Sequence, residues 1–263
     1  MNFTRTIIAL RGEPRPVRLH DFVAGGGPEA AAVLSDLDGC LISGDTVLPG
    51  THDLVARAGD RLWVVSNNSS DTAETLSNKL RQRLGLVIPA ERILLAGEQS
   101  IRFLAETRPG TRVALFASAP IRSLAQSLGL WVTRGEGGAV LPDLVLLSRD
   151  HDFSLADLER VMRLVHLGVP VQISNCDLIH PAADGAPVPE TGALLAALKV
   201  AFPDLEAPSL GKPDPHLVSL ALERAGVEAR DAIFIGDTDA TDGGAARAAG
   251  VPFVQIARPE GAQ

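Results

Sequence analysis

Asp36 and Asp38 stand two residues apart in Asp36-Leu37-Asp38-Gly39, directly after the apolar run Ala31-Ala32-Val33-Leu34. On an extended backbone that spacing turns both carboxylates to one side. One carboxylate can attack phosphorus and form an aspartyl-phosphate. A second beside it can protonate the departing oxygen and later deprotonate the hydrolytic water. Gly39 permits a sharp turn and leaves room for a substrate. A polar turn or a calcium loop is the plainer reading, but an EF-hand needs further oxygen ligands and a terminal Glu, which the following residues lack.

Three more segments extend this chemistry. Ser66-Asn67-Asn68-Ser69 follows the apolar run Leu62-Trp63-Val64-Val65. A hydroxyl and backbone amides ahead of a helix suit an anion, so Ser66 and Asn67 are assigned to a phosphate, and Ser69, Ser70 or Asp71 to helix capping. Lys212, between Gly211 and Pro213, would be a surface lysine if read alone. Beside a phosphate and an aspartate nucleophile, however, a fixed cation is needed to hold like charges together. Asp237 and Asp242 come after Ala232-Ile233-Phe234-Ile235-Gly236. Asp237 is placed to bind a metal, while Asp242 suits both the N-cap of the last helix and support of the metal. Asp239 reads as a solvated loop residue.

Four carboxylates facing one ammonium would repel a phosphate unless a divalent cation joined them. Oxygen ligands without His or Cys favour a hard ion, and few protein ligands plus phosphate and water describe Mg²⁺. Gly135-Glu136-Gly137-Gly138 resembles a nucleotide loop only in composition, and no Walker lysine follows it. The six histidines show no metal-ligand spacing.

The elements that must position these groups follow a β-α rhythm. Strands are expected at 31–35, 62–66 and 232–236, and helices near 50–58, from Ser70 or Asp71 to Leu84, at 214–225 and at 242–249, the last stopped by Gly250. Parallel strands with right-handed crossovers follow, and such sheets bind ligands beyond their carboxyl ends. Between the second and third motifs the rhythm restarts: strands 112–116, 143–148 and 169–174, helices 119–128 and 154–167, and a further helix within Pro189–Phe202. The fold class is therefore α/β, a Rossmann-like parallel-sheet core with an inserted α/β domain. The expected division is an extension at 1–27, core at 28–92, insert at 93–205 and core again at 206–263.

Bulk properties narrow the partners. The 263 residues suffice for two modest domains. A formal charge of −8 and the absence of tyrosine argue against a nucleic-acid partner. No apolar run reaches a membrane span, and Thr6–Leu10 is too short for a signal segment. Two cysteines, Cys40 and Cys176, imply no disulfide framework, which makes the cytoplasm the expected compartment.

In order and context, Asp-x-Asp-Gly, Ser-Asn-Asn, Gly-Lys-Pro and Gly-Asp-x-x-x-Thr-Asp resemble the haloacid dehalogenase superfamily of aspartate-nucleophile phosphatases. The insert resembles the type IIA (α/β) cap of its p-nitrophenyl phosphatase and pyridoxal phosphatase branch. The likeness covers roughly residues 31 to 256. It implies Asp36 as nucleophile and Asp38 as general acid/base, with Ser66, Asn67 and Lys212 on the phosphate. Mg²⁺ would be held by Asp36, the Asp38 carbonyl and Asp237, supported by Asp242. Ser174–Pro181 lies where the family shows an Asn-Pro-Asp stretch near the substrate, with Cys176 in place of the proline. Within that loop Asn175 and His180 are the candidate substrate contacts, with Leu178 as an apolar neighbour. The function implied is a Mg²⁺-dependent phosphatase for a small phosphorylated metabolite; a phosphotransferase or mutase, or a non-catalytic sensor, are the alternatives. A homodimer through the cap is the expected assembly. The substrate does not follow from the sequence, and the extension at residues 1–27 suits either an oligomer interface or the core edge.

Overall fold

The structure, a computed structural model, describes residues 16–135, 140–181 and 186–258. Thr6–Leu10 and all of the Gly135–Gly138 run but Gly135 lie outside the described residues.

The core sheet contains β1 (Ala32–Ser35), β4 (Leu62–Ser66), β5 (Ile93–Leu95), β12 (Ala232–Gly236) and β13 (Phe253–Gln255), in the order β13-β12-β1-β4-β5 and parallel throughout. Its strands read as continuous apolar runs because both faces are covered. Val33, Leu62 and Val64 face one layer, with Leu54 of α2 (Thr51–Ala58) and Leu76 and Leu80 of α3 (Ala73–Leu84). Leu34, Trp63 and Phe234 face the other, with Leu217 and Ala221 of α8 (His216–Ala225) and Ala245 of α9 (Gly244–Ala248).

The inserted sheet has the order β7-β6-β8-β9, again all parallel: β6 (Arg112–Phe116), β7 (Trp131–Thr133), β8 (Leu144–Leu147) and β9 (Val171–Ile173). One face packs on Ile101 and Leu104 of α4 (Ala96–Thr107) and Ile121 of α5 (Ala119–Ser127). The other packs on Val161 of α6 (Leu155–His166) and Leu198 of α7 (Thr191–Ala201). Two antiparallel hairpins complete the fold: β2 (Ile42–Ser43) with β3 (Thr46–Val47), and β10 (Ile179–Pro181) with β11 (Pro187–Pro189).

Several expectations need correction. Residues 93–95, assigned to the insert, pair with β4 as the edge of the core sheet, so the chain leaves the core at Leu95–Ala96. Residues 16–27, set apart as an extension, join the core: Val17 bridges Ile256, and Leu19 and Val23 of α1 (Leu19–Ala24) pack into it. The N-cap of α3 is Thr72, in a reciprocal capping box with Thr75, rather than Ser70 or Asp71. The expected helix 242–249 is a π-turn, Asp239–Gly243, followed by α9.

Carboxyl ends of the two sheets face each other. Past β6 and β8, the Ser118 and Ser148 hydroxyls donate to the Ser70 and Ser69 carbonyls of the core. A cleft between two sets of strand ends is thereby built into the topology.

Candidate active site

Three motifs end adjacent strands. Asp36 follows β1, and its N–H still donates to the Ile235 carbonyl (2.8 Å), carrying the sheet register one residue into the loop. Ser66 closes β4, and Asp237 follows β12. Lys212 enters from the loop before α8 and is buried, with 2% of its surface exposed. Its Nζ donates to Asp36 Oδ1 at 2.5 Å and to Asp242 Oδ1 at 2.7 Å. Carboxylate oxygens of Asp36, Asp237 and Asp242 lie within 4.8 Å of one another.

Each group is oriented by its surroundings. Asn67 Oδ1 accepts from the Lys212 N–H (2.7 Å), and its Nδ2 donates to the Lys212 carbonyl and to Asp177 Oδ2, both at 3.0 Å. Its side chain therefore fixes the lysine loop and is not turned to a phosphate. Asp242 Oδ2 accepts from the Thr238 N–H (3.0 Å) within the π-turn, so this aspartate is no N-cap; the N-cap of α9 is Gly243. Asp239 is exposed, as expected, and pairs with Arg247 at 2.7 Å on the surface. Arg258 Nε donates to Asp237 Oδ2, and its Nη2 to Thr238 Oγ1 (2.8 Å). Gly39 has φ 83°, and a Cβ there would lie 2.4 Å from Asp237 Oδ2; only glycine fits that left-handed, crowded position.

Electrostatics favour a bound cation. Burial drives the Asp36 pKa well above the usual carboxylate range, Lys212 pulls it back, and Asp242 and Asp237 raise it further. Burial also raises Asp237, against the hydrogen bond and charge of Arg258. Burial opposes the charge on Lys212, but Asp242 and Asp36 outweigh it and raise its pKa. Asp38 is open to solvent in the cleft. The protein crowded around its carboxyl nevertheless lifts its pKa to about 6, with Lys212 and Arg149 pulling down and Asp237 and Asp71 pushing up. Converging carboxylates whose ionisation is opposed by burial and mutual repulsion fit a hard divalent ion.

The remaining predicted residues divide. Ser66 is buried, and its Oγ accepts from the Asn68 N–H (3.1 Å). Asn175 is fully buried and donates to the Asn67 carbonyl (2.9 Å), tying the cap loop to the core instead of facing a substrate. His180 sits on β10 with Nδ1 2.8 Å from Glu190 Oε1. Sequence reasoning missed Arg149, Asp177, Glu190 and Arg258. Arg149 was findable, because it lies two residues past the apolar strand β8, in a strand-end loop comparable to that of Asp36 after β1. Arg258 carried no local signal.

Residues 33–131 match a family model for haloacid dehalogenase-like hydrolases, and residues 209–260 match a second, HAD-hydrolase-like model. The chain is similar to chronophin of Homo sapiens, at 30% identity over 229 residues, covering 81% of this chain and 76% of the relative. It belongs to the haloacid dehalogenase-like hydrolases. Within that family it is a phosphoric monoester hydrolase of the type IIA branch. A p-nitrophenyl phosphatase from Archaeoglobus fulgidus shares the fold with a TM-score of 0.77 at 23% identity, covering 89% of this chain and 90% of that one. A glycerol phosphate phosphatase from Mycobacterium tuberculosis, solved in complex with magnesium, superposes with a TM-score of 0.76 at 26% identity, covering 86% of this chain and 67% of that one.

Proposed function

We propose that this haloacid dehalogenase-like phosphatase hydrolyses small phosphomonoester metabolites through an aspartyl-phosphate on Asp36, with Mg²⁺ as cofactor. The observation that carries the reading is the buried Lys212 ammonium held between Asp36, at the end of β1, and Asp242, in the π-turn after β12. A structural role alone does not account for it, since burying such a charge network costs more than apolar packing.

In this reading an Asp36 carboxylate oxygen forms a bond to phosphorus as the bond to the substrate alcohol breaks, and Asp38 gives its proton to the departing alkoxide. Asp38, now ionised, takes a proton from water, which attacks phosphorus and releases Asp36 and inorganic phosphate. Its pKa of about 6 suits a group that must both give and accept a proton near neutrality. Lys212 offsets the charge of the phosphoryl oxygens and keeps Asp36 in place. Asp36, Asp237 and the Asp38 carbonyl would hold Mg²⁺, with Asp242 in support; the ion supplies charge neutralisation for the phosphoryl oxygens and alignment of phosphorus with Asp36. The magnesium complex of the Mycobacterium relative supports that choice.

A cytoplasmic location is part of the reading, supported by the free cysteines and by the lack, among the described residues, of a helix long and apolar enough to cross a membrane. So is a homodimer through the cap, where β7 is an open sheet edge and Trp131 is exposed. The test of the reaction is p-nitrophenyl phosphate turnover with Mg²⁺ by the wild type and Asp36→Asn. The wild type should turn over and the variant should not; near-normal turnover by the variant contradicts the assignment.

A further inference from the structure

Arg149 emerges from β8 with its backbone fastened to the core: its N–H donates to Ser69 Oγ at 3.2 Å. Its guanidinium turns along the cap, where Nη1 lies 3.4 Å from Glu190 Oε1. The same oxygen lies 2.8 Å from His180 Nδ1. The three side chains come from a strand end, the β10–β11 hairpin and the N-cap of α7. They meet because α7 presses on the cap loop at Gly192, where a Cβ would lie 2.3 Å from the Cys176 carbonyl. Glu190 is nearly buried, whereas Arg149 and His180 keep part of their surface open, 22% and 30% of the side chain. The charge of Arg149 also reaches Asp38, and the Arg149–Ser69 bond holds the cluster beside the core motif that begins at Ser66.

We propose that Arg149 and His180, oriented by Glu190, form the leaving-group subsite, and that it selects a small polyhydroxy alcohol over an aromatic or a carboxylated one. This rests on the phosphatase reading above. Arg149 offers only donors. His180 Nδ1 and Glu190 Oε2 are buried and make no aligned hydrogen bond. The carboxylate charge 2.8 Å from Nδ1 favours the tautomer with its proton there, which leaves Nε2 as an acceptor. Burial lowers the His180 pKa, and Arg149 and His151 lower it further, which favours the neutral ring. A donor beside an acceptor suits a hydroxyl, which accepts from one and donates to the other. A carboxylate can only accept, and it would meet the Nε2 lone pair and a guanidinium whose charge Glu190 already matches. A nitrophenyl group offers no hydroxyl at all. Glu190 is the positioning residue, because one of its oxygens lies against both partners.

The test compares kcat/KM for glycerol 3-phosphate, 2-phosphoglycolate and p-nitrophenyl phosphate, with Mg²⁺ at pH 8, in the wild type, Arg149→Met and Glu190→Gln. The wild type should prefer glycerol 3-phosphate to 2-phosphoglycolate. In Arg149→Met the ratio of kcat/KM for glycerol 3-phosphate to that for p-nitrophenyl phosphate should fall by about tenfold or more, chiefly through KM. In Glu190→Gln it should fall in the same direction. Because each ratio is internal, a merely destabilised variant lowers both activities together and leaves it unmoved. A smaller fall in Arg149→Met overturns the subsite, and a larger loss on 2-phosphoglycolate than on glycerol 3-phosphate overturns the polyol assignment. Failure of the wild type on all three substrates would instead refute the phosphatase reading.

Discussion

Lys212 and Asp38 show how the environment divides labour among charged groups. Lys212 is buried and bonded to two carboxylates, so its charge is fixed. Lys212→Ala should lower kcat/KM for p-nitrophenyl phosphate by on the order of 10²-fold or more; a loss below about threefold would make it a packing residue. Asp38, on the solvent side, should matter in proportion to the leaving group. Asp38→Asn should lose more activity on an alkyl phosphate than on p-nitrophenyl phosphate, whose phenolate needs little protonation, and equal losses would remove the acid role. Both residues were legible in the sequence because each follows a strand or sits between Gly and Pro. Arg258, Glu190 and Asp177 were not: their roles depend on chain segments that meet only in three dimensions. Asn67 and Asn175 are expected at the substrate from their place in the motifs; the fold gives their side-chain amides to loop–loop bonds.

At the scale of elements, the continuous apolar strands were readable and the capping details less so. Residues 62–66 and 232–236 appear with the expected bounds, because a doubly covered parallel strand has no polar face to blur its pattern. The start of α3 shifted because Ser69, Ser70, Asp71 and Thr72 are all good N-caps in sequence. Thr75, which completes a capping box, decides for Thr72. Thr72→Ala should therefore cost about 1 kcal/mol and lower the melting temperature by roughly 2–4 °C, whereas Ser70→Ala, whose side chain makes no cap, should not. Equal shifts would return the cap to Ser70. The edge strand Ile93–Leu95 was misplaced because three residues followed at once by a helix carry no periodic signal of either domain.

At the scale of the whole molecule, the inserted domain holds an acid in an unfavourable place, at the N-cap of α7. Burial pushes Glu190 up to about 7 from an ordinary 4.5, against the pull of Arg149 and with Asp177 adding to the rise. A carboxyl whose folded pKa is raised contributes stability that is fully present below its unfolded pKa and is lost as pH rises through the folded value. Wild-type stability should thus fall relative to Glu190→Gln between about pH 4.5 and pH 7, by up to roughly 3 kcal/mol. Thermal melts of both proteins at pH 5 and pH 8 measure it; a difference independent of pH would mean that Glu190 is ionised at its ordinary pKa. The same acid orients Arg149 and His180, so the cap trades stability for an arranged cleft.

In the proposed function that cleft serves to place a phosphoryl group on Asp36. The most direct measurement is a single-turnover reaction with p-nitrophenyl phosphate and Mg²⁺, quenched in acid and mapped by peptide mass spectrometry. The wild type should carry a phosphoryl group on Asp36 at early times. Asp38→Asn, slow to activate the hydrolytic water, should hold it longer, and Asp36→Asn should carry none. Turnover with no phosphorylated peptide in either Asp36-containing protein, or a phosphoryl group on any other residue, would contradict the account.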